Sequence, residues 1–124
     1  MSVVRAPAAA THTLGSTRFT SLATPSRGSL ETAVWRVEIA PGTPATPHSL
    51  TREEVFVVLE GEATVEIDGV RQSARPGDAI VVPAEVELAL ANEGEQPLRL
   101  LCCLPVGGQG RIADGDPFTP PWAQ

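Results

Sequence analysis

Apolar and polar residues alternate one for one over long stretches of the chain. Ala33, Trp35, Val37 and Ile39 interleave with Val34, Arg36, Glu38 and Ala40, and Pro41-Gly42 ends the run. Ala63, Val65 and Ile67 interleave with Glu62, Thr64, Glu66 and Asp68. Period-two alternation puts successive side chains on opposite faces and marks half-buried strands. Val55 to Leu59 and Ala79 to Val82 are apolar on both faces, which predicts strands covered on both sides. Val86 to Ala91 and Leu98 to Leu104 complete the set. Asp68-Gly69 predicts a hairpin to a short returning strand over Val70 to Ala74. Pro76-Gly77-Asp78 predicts another turn, and Pro44 and Pro47 hold their segment extended outside any sheet interior. No stretch repeats with a helical period. Roughly eight short strands with closely spaced turn signals predict an all-β, antiparallel sandwich or barrel.

The ends differ from this middle. Residues 1–16, rich in Ala, Pro, Thr and Ser, are expected to form a loose arm, with a short strand near Arg18 to Ala23. The barrel is expected over 17–106. Residues 107–124 run Gly-rich, then acidic, then Pro-rich, and predict a tail packed on the outside, with Trp122 needing a surface to cover it. The 124 residues suffice for one core and one domain, with no internal repeat.

Composition removes several function classes. Hydrophobic residues make up 42% and charged residues 19%, as in globular proteins. The net charge of −6 argues against nucleic acid, whose phosphates need clustered cations. All nine basic residues are arginine, and neither lysine nor tyrosine occurs, so Schiff-base chemistry, a pyridoxal phosphate anchor and tyrosine acid catalysis are absent. No run of about 18 apolar residues exists to span a membrane. Met1 to Ala10 lacks the apolar core of a secretion signal, so cytoplasmic residence is expected. Cys102 and Cys103 are neighbours on one strand and point to opposite faces, a poor geometry for a disulfide. Two buried free thiols fit a reducing compartment.

Two spacings then stand out: Gly42, His48, Leu50, Glu54 and Gly61, and Gly77, Pro83, Glu85, Leu88 and Asn92. They resemble the cupin family, whose motifs run G-x5-H-x-H-x3-4-E-x6-G and G-x5-P-x-G-x2-H-x3-N. The resemblance covers Leu30 to Leu104 and implies a small, single-domain jelly-roll β-barrel. In the family, two histidines and the glutamate of the first motif and the histidine of the second hold one divalent metal. Here Leu50 and Leu88 stand at two of those histidine positions, and Glu85 stands at a family glycine.

The resemblance points to His48 and Glu54 as inward-facing candidate catalytic residues with Leu50 and Leu88 beside them. Parity places His48 and Leu50 on one face, and Val86, Leu88 and Leu90 on another apolar row. Phe56, Trp35 and Cys102 are expected to line the same pocket. Three readings follow. A divalent transition metal would need a third ligand from Cys102, Cys103, Glu53 or His12, because tight sites use three or four. Alternatively His48 and Glu54 only satisfy one another by a hydrogen bond. In the third reading, which expects no metal or other cofactor, an apolar wall raises the acid's pKa while attraction to the imidazole opposes that. The pair then shuttles protons in an isomerase, lyase or cyclase acting on a small organic molecule. A non-catalytic ligand-binding barrel is the competing class. Ser49 points to the opposite face from His48, Arg36 and Arg99 read as solvated, Arg52 as a residue of the barrel mouth, and His12 as exposed. A sheet apolar on both faces in so small a chain predicts a homodimer, with the arm or first strand at the interface.

Overall fold

The chain forms eleven short strands, the longer of them where the apolar pattern predicts them. The computed structural model describes residues 2–124. In chain order the strands are β1 (His12–Leu14), β2 (Thr17–Ala23), β3 (Thr32–Ile39), β4 (Ser49–Leu50), β5 (Glu54–Glu60), β6 (Ala63–Ile67), β7 (Val70–Ala74), β8 (Ala79–Val82), β9 (Leu88–Ala91), β10 (Leu98–Pro105) and β11 (Gly110–Arg111). A six-stranded sheet runs β1-β2-β3-β10-β5-β8, and a three-stranded sheet runs β7-β6-β9. A separate pair, β11 with β4, joins the smaller sheet through an antiparallel bridge between His48 and Leu88. All pairings are antiparallel, and the two layers form a jelly roll.

The core lies between the layers. Its larger-sheet side comes from Ala33, Trp35, Val37 and Ile39 of β3, Phe56 and Val58 of β5, Ile80 and Val82 of β8, and Leu98, Leu100, Cys102 and Leu104 of β10. Ala63, Val65, Leu88 and Leu50 close it from the other side. The turns follow local chemistry. Asp68 and Gly69 both adopt positive φ, 49° and 78°, as a two-residue hairpin of the primed type requires. Gly61 sits at φ 81°, and a Cβ there would lie 2.6 Å from the Pro97 carbonyl oxygen, so only glycine fits.

Three expectations need correction. The N-terminal arm is not loose throughout: His12–Leu14 pairs with β2, and the Thr11 N–H donates to the Phe19 oxygen. A strand of three residues is too short to carry a readable period. The last small-sheet strand begins at Leu88 rather than Val86, because Glu85, at φ 64°, is still in the turn. The tail does more than pack on the outside. β11 pairs with β4, Phe118 bridges back to Gly110, and Trp122 stacks on Phe19 with ring centroids 3.6 Å apart and planes 7° from parallel. Phe19 and Ser21 are the buried residues of β2, and the Ser21 hydroxyl donates to the Trp122 carbonyl at 2.7 Å. The C-terminal turn therefore covers the inner face of β2.

Candidate functional site

His48 is set in place by its backbone. His48 and Leu88 exchange both N–H···O bonds, at 2.9 and 2.8 Å, so their side chains emerge on the same face. That face is the inner one, because Leu88 has no exposed surface. Leu50, two residues on from His48, shares the face and is 4% exposed. Both leucines thus lie beside the imidazole, which is itself half-buried at the rim. The ring is turned toward its own loop. Nδ1 lies 2.9 Å from the Thr46 carbonyl oxygen, which only accepts, so Nδ1 carries the proton and a neutral ring keeps Nε2 free.

Glu54 opens β5 and points inward, paired across to Val82. The residue is only 4% exposed. Burial raises its pKa from 4.5 to about 8, so the carboxyl is largely protonated at neutral pH. No ion pair forms between Glu54 and any arginine or histidine among the described residues. The expected hydrogen bond between His48 and Glu54 is not made. The attraction that would have lowered the acid's pKa is therefore missing, and desolvation acts alone. No fully occluded side-chain nitrogen or oxygen lacks a hydrogen-bond partner among the described residues.

Cys102 pairs with Phe56 and Trp35 on the inner face. Burial pushes its thiol well above the usual range, and the neighbouring Glu54 and Cys103 add to that. Cys103 was expected to be buried, but it is half-exposed on the outer face. Phe56, Trp35, Leu88 and Cys102 are all buried, while Val86 and Leu90 are partly covered. Open clefts of about 570 and 320 Å³ lie elsewhere, on the outer face of β7-β6-β9, and share Thr64, Arg71 and Glu93.

Other motif residues have structural work that the spacing alone did not reveal. Asn92 is 1% exposed, and its Nδ2 donates to the carbonyls of Ile39 and Gln96, at 2.9 and 2.8 Å. Its Oδ1 accepts from the Gly94 N–H at 3.1 Å. One side chain thereby ties the end of β3 to the loop after β9. Glu85, which stands at a family glycine, adopts a left-handed conformation at φ 64° and is clasped by Arg111 at 2.9 Å.

The donor set does not fit the metal centre that the sequence resemblance implies. No three His, Cys, Asp or Glu residues come together among the described residues. Glu53 is exposed, Cys103 faces outward, and His12 lies on the edge strand with its Nδ1 at 2.9 Å from the Thr11 hydroxyl. Only Cys102 joins Glu54 inside.

Comparison with known proteins agrees with the fold. The family model described as "Cupin domain" matches residues 35–104. An uncharacterized protein of Methanocaldococcus jannaschii, MJ1618, is 34% identical over 53 residues, 43% of this chain and 42% of that one. The dimethylsulfoniopropionate lyase DddW of Ruegeria pomeroyi is 40% identical over 50 residues, 40% of this chain and 33% of that one. The match thus spans less than half the length of either relative. The polyketide cyclase RemF from Streptomyces resistomycificus superposes with a TM-score of 0.67 at 24% identity, over 73% of this chain and 66% of that one. No helix among the described residues is long and apolar enough to cross a membrane. With both motif spacings, the jelly-roll topology and a family match over more than half its length, the chain belongs to the cupin family.

Proposed function

We propose that this cupin binds a small, uncharged organic molecule and acts on it by metal-independent acid/base chemistry, as an isomerase, lyase or cyclase. The observation that carries the proposal is Glu54. It is a buried carboxyl, paired with no arginine or histidine among the described residues and protonated at neutral pH. A neutral acid in an apolar wall is a proton donor of the kind that polarises a carbonyl. The nine arginines are exposed or half-buried, and none is paired with Glu54, so a substrate carboxylate would find no counter-ion there. That favours a ketone, aldehyde or alcohol over an acid. DddW is named a lyase, one of the reaction classes proposed here.

In the simplest sequence His48 Nε2 removes a proton from the carbon beside a carbonyl while Glu54 donates its proton to the carbonyl oxygen. The product is an enol, a histidinium and a carboxylate. Where the substrate carries a β,γ carbon–carbon double bond, the enol is a dienol, and return of the proton to the γ carbon by His48, with Glu54 recovering its own from the dienol oxygen, moves the double bond into conjugation and restores both residues. In an elimination, Glu54 protonates the leaving group instead. The two side chains act on opposite ends of the ligand and so have no need to touch one another.

The test is exchange of carbon-bound protons for deuterium in a panel of uncharged carbonyl compounds in heavy water, followed by NMR. Glu54→Gln and His48→Ala should each slow it at least about 100-fold while the protein stays folded. A second reading, a non-catalytic ligand-binding barrel, is favoured by the filled inner wall around Leu88 and Leu50. Exchange that neither substitution slows, or no exchange from any compound, would leave that reading in place of the enzyme.

A further inference from the structure

Glu54, Leu50, Leu88 and Cys102 are each at most 4% exposed, so a small molecule reaches the interior only if part of the wall moves. The wall is unevenly tied. β3, β10 and β5 share long registers, and β6 is paired on both sides, by β7 and β9. β4 meets β11 through two residues, Leu50 with Gly110 and Ser49 with Arg111. β11 in turn meets Phe118, which exchanges both N–H···O bonds with Gly110, at 2.8 and 2.9 Å. Residues 109–118 thus form a strap that extends the smaller layer beyond His48 and Leu50. Its first residue is seated on the loop that leads to Glu54. The Thr51 N–H donates to the Gln109 carbonyl at 2.8 Å, and the Gln109 N–H donates to the Thr51 hydroxyl at 2.9 Å. Gly108, just before the strap, lies against Leu104, where a Cβ would come within 2.7 Å of Cγ. Leu104 follows Cys103, the partner of Val55, so it stands opposite Glu54 on the inner face.

We infer that this strap opens as a unit to admit a small organic molecule to Glu54, hinging at Gly107-Gly108 and held shut by Arg111 on Glu85. Gly107 has a φ of 90°, a conformation that only glycine adopts freely, and small residues at an element's end suit a hinge. The far end is anchored past Pro120-Pro121 by Trp122, stacked on Phe19. Between its ends the strap is lightly held. Its turn is closed by the Gly115 N–H on the Ile112 carbonyl at 3.1 Å, and Ile112 and Phe118 are 52% and 42% exposed. A segment with exposed backbone bonds and few buried apolar groups opens at a lower free energy than the sheets do. Its side-chain tie is the Arg111–Glu85 ion pair at 2.9 Å. Glu85 is itself fixed by its N–H on the Leu50 carbonyl at 2.7 Å, so the pair fastens the strap to the turn before β9. The pair is solvated, which makes it a latch that breaks readily. Lifting the strap bares Leu50 and Leu104 and opens a way to Glu54 and Cys102 without parting the larger sheet. The inference takes Glu54 as the site of the proposed function, but its test needs no turnover.

Cys102 reports the opening. It is buried on the inner face opposite Phe56, two residues along β5 from Glu54. Burial keeps its thiol protonated, so closed molecules do not react. In a Cys103→Ser parent it is the one thiol of the chain. Alkylation of that parent by excess N-ethylmaleimide at about pH 8 is followed by mass spectrometry. Its rate should not change with urea well below the unfolding midpoint, the mark of a local opening. Arg111→Glu sets two carboxylates against each other and should speed alkylation at least about fivefold. Exchanging the pair, Arg111→Glu with Glu85→Arg, should return the rate to within about twofold of the parent, which a merely loosened barrel would not do. A parent rate that climbs with urea in step with global unfolding would overturn the inference. So would a folded Arg111→Glu protein that reacts at the parent rate. If Arg111→Glu fails to fold, hydrogen exchange of the wild type decides. The amides of Thr51, Gly110 and Phe118 should then exchange together and ahead of those of β3 and β10, and exchange no faster than those strands would overturn the strap. Alkylation as forecast, in a protein that exchanges no carbon-bound proton, would remove the enzyme reading and leave the strap standing.

Discussion

Glu54 makes the stability of this protein depend on pH in an unusual direction. Its folded pKa, about 8, lies above the unfolded value of 4.5. Between those values the folded state keeps a proton that the unfolded state has released, so stability falls as pH rises. The contribution is complete below the unfolded pKa and is lost as pH climbs through the folded one. The slope is about 1 kcal/mol per pH unit over that window. Urea unfolding at about pH 5 and about pH 9 should show the wild type markedly weaker at the higher pH. Glu54→Gln, which cannot ionise, should lose this part of the pH dependence and exceed the wild type at the alkaline end. Equal slopes in the two proteins would mean that Glu54 ionises freely and is not desolvated. The residue was legible in the sequence as an inward acid only through the family resemblance that the motif from Gly42 to Gly61 carries. Its isolation was not. His48 was expected to offset the desolvation, but its ring settles on the Thr46 carbonyl two residues away. A contact so close in sequence needs little ordering of the chain, whereas one to Glu54 would have to orient two side chains across the barrel.

At the scale of elements, what the sequence revealed tracks how much repetition each strand contains. β3, β6 and β10 were plain because three or four apolar positions share a face in each. β1, β4 and β11 have two or three residues each and carry no period, so only tertiary pairing defines them. The bulge at Leu59 was equally invisible, because the local pattern continues through it. Turns were legible wherever glycine has a job. Gly61 and Gly69 make the contrast testable, since both have positive φ, 81° and 78°, but only Gly61 faces a backbone carbonyl. Gly69→Ala should cost about 1 kcal/mol, the strain of a left-handed residue in open space. Gly61→Ala carries that strain and must also push the β10 entry away from β5, for about 3 kcal/mol or more. Thermal unfolding of the two variants side by side measures the difference. Similar losses would show that the Pro97 segment yields without resistance.

For the whole molecule, the two-layer architecture was within reach of pattern reasoning, and the role of the tail was not. Nothing in the Gly- and Pro-rich composition of residues 107–124 says where they go. The one signal was Trp122, an aromatic too large to leave uncovered. The larger sheet extends to β1 and β2, beyond the three strands of the smaller one, so Phe19 and Ser21 on its inner face need a cover from elsewhere. The C-terminal turn supplies it with a stacked ring for Phe19 and a carbonyl for the Ser21 hydroxyl, and Ser26 adds a bond to the Gln124 carbonyl at 2.7 Å. Trp122→Ala removes the ring that lies on Phe19 and uncovers the end of the core. It should lower stability by about 3 kcal/mol, with the far-ultraviolet signature of the sheets retained. Trp122→Phe keeps a stacked ring and should recover most of the loss. Chemical denaturation followed by circular dichroism checks both variants. A Trp122→Ala protein as stable as the wild type would show that the tail rests on the barrel without closing it.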